Sequence, residues 1–177
     1  MEKTIQIPEE IEAKIDGFKI IVSGKNGNLE KDFSSPLFRD AVSIEKINNS
    51  IKIFTKSDKR KIKSEVGTIA SIIQNMITGI TEGYTYKMKI IYMHFPMTVK
   101  VSGKEILISN FLGEKQSRKA VIVGECKVDV AGDEMIVTGN NKEHVGQTCG
   151  NIERATKIKQ RDRRVFAVGA ADIAERI

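Results

Sequence analysis

The tetrapeptide VSGK occurs at Val22–Lys25 and again at Val101–Lys104, 79 residues further on. A second pair of landmarks keeps the offset: VGTIA begins at Val66 and VGQTC at Val145, again 79 residues apart. Two separate landmarks sharing one spacing point to an internal duplication, which constrains the architecture before any single element is assigned. The intervening patterns agree. In the first copy FKIIVSG (Phe18–Gly24) and LEKDF (Leu29–Phe33) alternate as strands do, around the turn residues KNGN, where Gly27 can take positive φ. AVSIEKI, NNS and IKIFTK (Ala41–Lys56) read as strand, turn, strand. Ile62, Val66, Ile69, Ile73, Met76, Ile77 and Ile80 then recur at helical period, with Ser57 or Asp58 as the starting cap and Gly79 or Gly83 as the stop.

The second copy repeats the order. MTVKVSG (Met97–Gly103) and EILISNF (Glu105–Phe111) read as strands, and KAVIVGECKVDVAGDEMIVTG (Lys119–Gly139) as two or three more, turning at Gly132–Asp133. A helix from Asn141 to about Thr156 carries Val145, Cys149, Ile152 and Ala155 or Thr156 on its apolar face. YTYKMKIIYMHFP (Tyr84–Pro96) opens this half as a long strand. The expected fold is therefore α+β, as two tandem duplicated domains spanning 1–82 and 83–177. Each is a small antiparallel β-sheet with one packed α-helix. Gly67 and Gly146 hold matching places inside the two helices, where a glycine costs ~1 kcal/mol relative to alanine. They imply helices pressed close to their sheets, with Gly150 extending the flat face.

Composition narrows the function classes. The chain has 177 residues, 40% of them hydrophobic, which suits a packed core rather than disorder. The N-terminus, MEKTIQIPEEIEAKI, lacks the apolar region of a signal peptide. Ser64, Glu65, Gln74 and Asn75 interrupt the longest apolar run, so a membrane span is not expected and the protein reads as cytoplasmic. Two cysteines and two histidines without C-x-x-C or H-x-x-x-H spacing argue against a zinc site. No metal and no cofactor are expected.

A phosphate-binding loop is the sharper reading of VSGK, and it fails on chemistry. Such a loop needs G-x-x-x-x-G-K followed by a hydroxyl residue for magnesium. Asn26 follows Lys25, Glu105 follows Lys104, and Gly17 lies seven residues before Gly24 instead of five. A turn between strands remains, with both lysines at exposed tips. No nucleophile elbow or Cys–His–Asn set occurs, and His94 and His144 read as packed or surface residues. No enzyme is expected.

The net charge of +6 is unevenly spread. Residues 1–84 hold 13 basic and 12 acidic side chains, residues 85–177 hold 16 and 11. The densest part lies in NIERATKIKQRDRRVF, where from Arg154 to Arg164 six basic residues, Arg154, Lys157, Lys159, Arg161, Arg163 and Arg164, face one acid, Asp162. Alternation about Ile158 points Lys157 and Lys159 the same way, and such a ribbon can follow a phosphate backbone. A solvated helix end is the plainer alternative. The helix start at TGNNKEHVGQ adds backbone donors beside Lys142, a natural phosphate site.

At these residues the chain resembles the L-six family of large-subunit ribosomal proteins, in its archaeal and eukaryotic form. GNNKEHVGQ (Gly139–Gln147), NFLGEK (Asn110–Lys115) with Arg118, GITEGYTYKMKIIYMHFP (Gly79–Pro96) and RDRRVF (Arg161–Phe166) carry the resemblance. It implies two duplicated α+β domains. It also implies a structural role on large-subunit rRNA beside the sarcin–ricin loop, with neighbouring ribosomal proteins and translation factors close by. Lys142, Gln147, Arg154, Lys157, Lys159, Arg161, Arg163 and Arg164 fall on its motifs and inherit the rRNA-binding role. The end, AVGAADIAERI, departs from the family pattern, so no RNA contact is assigned beyond Phe166. The competing expectation is a free-standing nucleic-acid or protein-binding adaptor of the same fold.

Overall fold

The structure is a computed structural model that describes residues 1–34, 42–159 and 169–176, with backbone alone for 170–176. The chain divides into two compact units, Met1–Gly83 and Tyr84–Ile177.

The first unit contains β1 (Glu2–Gln6), β2 (Glu12–Asp16), β3 (Lys19–Gly24), β4 (Gly27–Asp32), β5 (Ser43–Ile47), β6 (Ser50–Phe54) and α1 (Arg60–Thr81). Its strands form two antiparallel sheets, β1-β6-β5 and β2-β3-β4. The 3.6-residue period of α1 turns Val66, Ile69, Ile73, Ile77 and Ile80 inward. There they meet Ile5, Ile20, Val22, Ile51 and Ile53, all buried. β1 and β2 carry little sequence signal. Only Ile5 of β1 is buried, and β2 turns one small residue, Ala13, fully inward.

The start of α1 differs from expectation. Lys59 is the N-cap and makes no side-chain cap bond. The Ser57 hydroxyl accepts from the Lys59 N–H at 3.4 Å, one turn too early to cap. The Asp58 carboxylate is taken by Lys63 at 2.8 Å, and that lysine's hydrogen bond holds it below the usual carboxylate range. At the other end Gly83, at φ +78°, donates to the Thr78 carbonyl and ends the helix, while Gly79 is buried inside it. Asn26 donates to the Thr81 carbonyl at 3.0 Å and ties the β3–β4 turn to this end.

The second unit contains β7 (Tyr84–Ile91), β8 (Thr98–Ser102), β9 (Glu105–Ser109), a 3₁₀ turn at Phe111–Gly113, β10 (Arg118–Val121), β11 (Lys127–Ala131), β12 (Glu134–Gly139), α2 (Lys142–Ala155) and β13 (Gly169–Arg176). The sheets are β10-β9-β8 and β11-β12-β7-β13, again antiparallel. The long strand expected over Tyr84–Pro96 stops at Ile91, and Tyr92–Phe95 are exposed. The duplication is visible in the ladders. In each half the hairpin before the helix pairs with the strand that opens the half: β5-β6 with β1, and β11-β12 with β7. β13 adds an edge to β7 that the sequence pattern did not announce.

VSGK is a hairpin turn in both copies, but its glycine is needed for two reasons. In the first, Gly24 pairs with Gly27 around Lys25–Asn26. A Cβ on Gly24 would lie 2.5 Å from Cγ2 of Ile80, so α1 leaves no room for one. In the second, Ser102 pairs with Glu105 around Gly103–Lys104. Gly103 has open space, but its φ of +60° favours glycine. Lys25 and Lys104 are exposed.

The helical glycines do not mark close helix–sheet approach, contrary to expectation. A Cβ on Gly67 would come only within 4.0 Å of the Lys3 ammonium, and at Gly146 and Gly150 none of the described residues lies within 4 Å. The helices meet their sheets through Val66, Ile69 and Ile73 in one unit and Val145, Cys149 and Ile152 in the other.

Candidate nucleic-acid interface

α2 begins at a true cap. The Asn141 side chain accepts from the Glu143 N–H at 2.9 Å, an interaction worth about 1 kcal/mol. Lys142 follows, its ammonium 5.6 Å from the centre of the Tyr84 ring, which holds the charge beside the helix N-terminus. His144, expected at the surface, is half-buried, its imidazole packed on Gly124.

The buried side of α2 is made by Val145, Thr148, Cys149 and Ile152. Helical geometry therefore puts Glu143, Gly146, Gln147, Gly150 and Arg154 on the opposite side. Gln147 and Arg154 are exposed, and the two glycines leave a flat strip between them. Gln147 does not swing freely. Its amide donates to Asn151 at 2.9 Å, and Asn151 in turn donates to the Val121 carbonyl of β10 at 2.9 Å. This two-step relay orients a polar side chain against the sheet beneath.

Past the helix, Lys157 and Lys159 are exposed on either side of Ile158, which is half-buried against the core. The alternation expected of an extended ribbon is thus present in the burial pattern. Lys142, Gln147, Arg154, Lys157 and Lys159 all belong to one helix and its exit, while Arg161, Arg163 and Arg164 lie outside the described residues. Sequence reasoning passed over Asn151 and Tyr84, which orient Gln147 and Lys142. It also gave Arg118 and Glu114 no role beyond a motif. Only the four-residue spacing of that acid and base hinted at a pair.

Among the described residues no group of three or more His, Cys, Asp or Glu side chains could hold a metal ion. Burial raises the Cys126 thiol above its ordinary pKa, the opposite of what an activated thiolate requires. No helix among them is long and apolar enough to cross a membrane.

The family model described as ribosomal protein L6 matches residues 7–83 and again residues 95–169, one segment in each unit. The chain is 47% identical over 169 residues to the large ribosomal subunit protein uL6 of Methanobrevibacter smithii, covering 96% of this chain and 93% of the relative. It is 51% identical over 168 residues to the uL6 of Staphylothermus marinus, covering 93% and 89%. To the uL6 of Archaeoglobus fulgidus it is 39% identical over 173 residues, covering 95% and 86%.

Proposed function

Because the chain belongs to the ribosomal protein L6 family, structural and non-enzymatic constituents of the large ribosomal subunit, we propose that it binds large-subunit rRNA chiefly through α2 and the basic segment leaving it. Its place of work is the cytoplasmic ribosome. The rRNA contacted lies beside the sarcin–ricin loop, where the protein supports the region in which translation factors dock. Neighbouring ribosomal proteins complete its surroundings.

One observation carries this reading. The solvent side of α2 has Gly146 and Gly150 with open space above them, flanked by Gln147 and Arg154 and continued by Lys157 and Lys159. A helix face without side chains lets a sugar–phosphate backbone approach the main chain, while the cations beside it neutralise phosphates. Glycine at both sites sacrifices about 1 kcal/mol of helix propensity each, and among the described residues nothing lies where a side chain would stand. Lys142 adds a cation at the helix start, and Arg161, Arg163 and Arg164, outside the described residues, follow Lys159 in the sequence.

The test compares two sets of alanine substitutions. Arg161, Arg163 and Arg164 together should weaken binding to a sarcin–ricin-domain rRNA fragment. They should also flatten the slope of log K against log salt by roughly 2 to 3. Lys25 and Lys56, exposed on the first unit, should change neither quantity appreciably. Equal losses from both sets would put the binding face on the wrong unit. Wild-type protein should sediment with large subunits, and a wholly RNA-free pool would contradict the proposal.

A further inference from the structure

We infer that Arg118, held by Glu114, is a positioning residue that sets how the basic segment leaves α2, and so where Lys157 and Lys159 meet RNA. The inference rests on the rRNA-binding reading above. Arg118 is the first residue of β10. Its Nε and Nη2 donate to the two carboxylate oxygens of Glu114 at 2.9 and 2.6 Å, a two-pronged fork that fixes the guanidinium plane. Its Nη1 donates to the Ala155 carbonyl at 2.8 Å and the Lys157 carbonyl at 3.3 Å. The same group lies 4.0 Å from the centre of the Phe111 ring, which is fully buried.

These contacts place a cation on carbonyls at the end of α2, which accept no further intrahelical bond and carry the negative end of the helix dipole. Arg118 makes four hydrogen bonds within the chain, so the fork it would need to grip a phosphate is already committed. Its influence on RNA is therefore indirect. It pins the main chain on both sides of Thr156, and with Ile158 seated on the core the exposed lysines at 157 and 159 acquire a fixed direction.

The loop that presents this clamp is itself over-determined. Asn110, Leu112 and Gly113 have φ of 60°, 53° and 79°, three left-handed residues in four. A leucine seldom adopts that conformation, and it persists where the surroundings enforce it. The enforcement comes from the buried Phe111 and from Asn110, whose amide donates to the Pro96 carbonyl at 3.0 Å. The stretch NFLGEK with Arg118 thus works as one device: ring platform, left-handed turn, carboxylate, clamp.

The experiment measures the affinity of the full chain for the rRNA fragment across salt concentrations. The variants are Arg118→Ala, Arg118→Lys, Glu114→Gln, the double variant Lys157→Ala/Lys159→Ala, and that double combined with Arg118→Ala. Arg118→Ala should weaken binding roughly tenfold and flatten the salt slope by about 1 to 2, although Arg118 touches no phosphate. Arg118→Lys keeps the charge and loses the fork, so it should not rescue, and Glu114→Gln should fall between. Amide exchange at 156–159 should quicken in the free variants while amides at 145–152 stay protected, which separates a loosened exit from a lost fold. In the lysine double variant Arg118→Ala should add nothing. Additive losses, or rescue by lysine, would overturn the positioning role while the binding reading stands. A lysine double variant with unchanged affinity would overturn both.

Discussion

Replacing Gly146 and Gly150 by alanine should make the free protein more stable and a poorer RNA binder. Among the described residues a Cβ at either position meets nothing within 4 Å, and neither glycine has positive φ, so alanine brings no clash with them and no strain. Each substitution then gains the helix propensity that glycine forfeits, ~1 kcal/mol, or up to about 2 kcal/mol for the pair. For a unit of this size, 1 kcal/mol shifts the midpoint by roughly 4 to 8 °C, so the pair should raise it by up to about 8 to 16 °C. The transition can be followed by tyrosine signal, because Tyr84, Tyr86 and Tyr92 all belong to the second unit and the chain has no tryptophan. Binding to the rRNA fragment should weaken in the same protein, and weaken further with leucine at Gly150. Unchanged affinity with both alanine and leucine would show that no backbone approaches this face. A lowered midpoint would show that the space above the glycines is not open.

Four further outcomes follow from local geometry. Gly24→Ala forces Cγ2 of the buried Ile80 to move and should cost about 1 to 3 kcal/mol of overpacking. Gly103→Asn, in open space at φ +60°, should be tolerated in calorimetry because asparagine accepts that conformation. Asn141→Ala removes the cap bond to Glu143 and should lower second-unit stability by about 1 kcal/mol, read by urea unfolding. In the native protein a thiol reagent should label half-buried Cys126 slowly and buried Cys149 only as the unit opens. Rapid native labelling of Cys149 would contradict its place in the core.

The duplication was legible because it left two landmarks at one spacing, and both helices because seven and four apolar positions kept strict period. Short polar strands were not. β1 buries little besides Ile5, and a single buried residue carries no alternation. The cap of α1 misled because Ser57 and Asp58 have cap-forming side chains whose oxygens are engaged elsewhere, one in a preceding turn and one with Lys63. The glycines misled for a sharper reason. The wheel set by Val145, Cys149 and Ile152 was already in the sequence and turns Gly146 and Gly150 away from the sheet, so the expectation of close approach ran against the apolar face assigned beside it. The basic segment could be found by charge alone. The contacts that orient it come from Asn151, Tyr84 and Arg118, scattered across the second half and silent until the fold gathers them.

β13 has a consequence for the order in which the molecule can be made. Among the described residues, both sheets of the first unit are built from strands that precede Gly83. The second unit's four-stranded sheet pairs its opening strand β7 with the last strand, Gly169–Arg176. At a synthesis rate of about 5 to 20 residues per second, the first unit has roughly 5 to 20 s to fold before β13 is complete. Throughout that time β7 waits with one edge open, and the basic segment is translated before the strand that closes it. The sheet of the second unit therefore closes only after Gly169–Arg176 has been made, more than 70 residues after its opening strand.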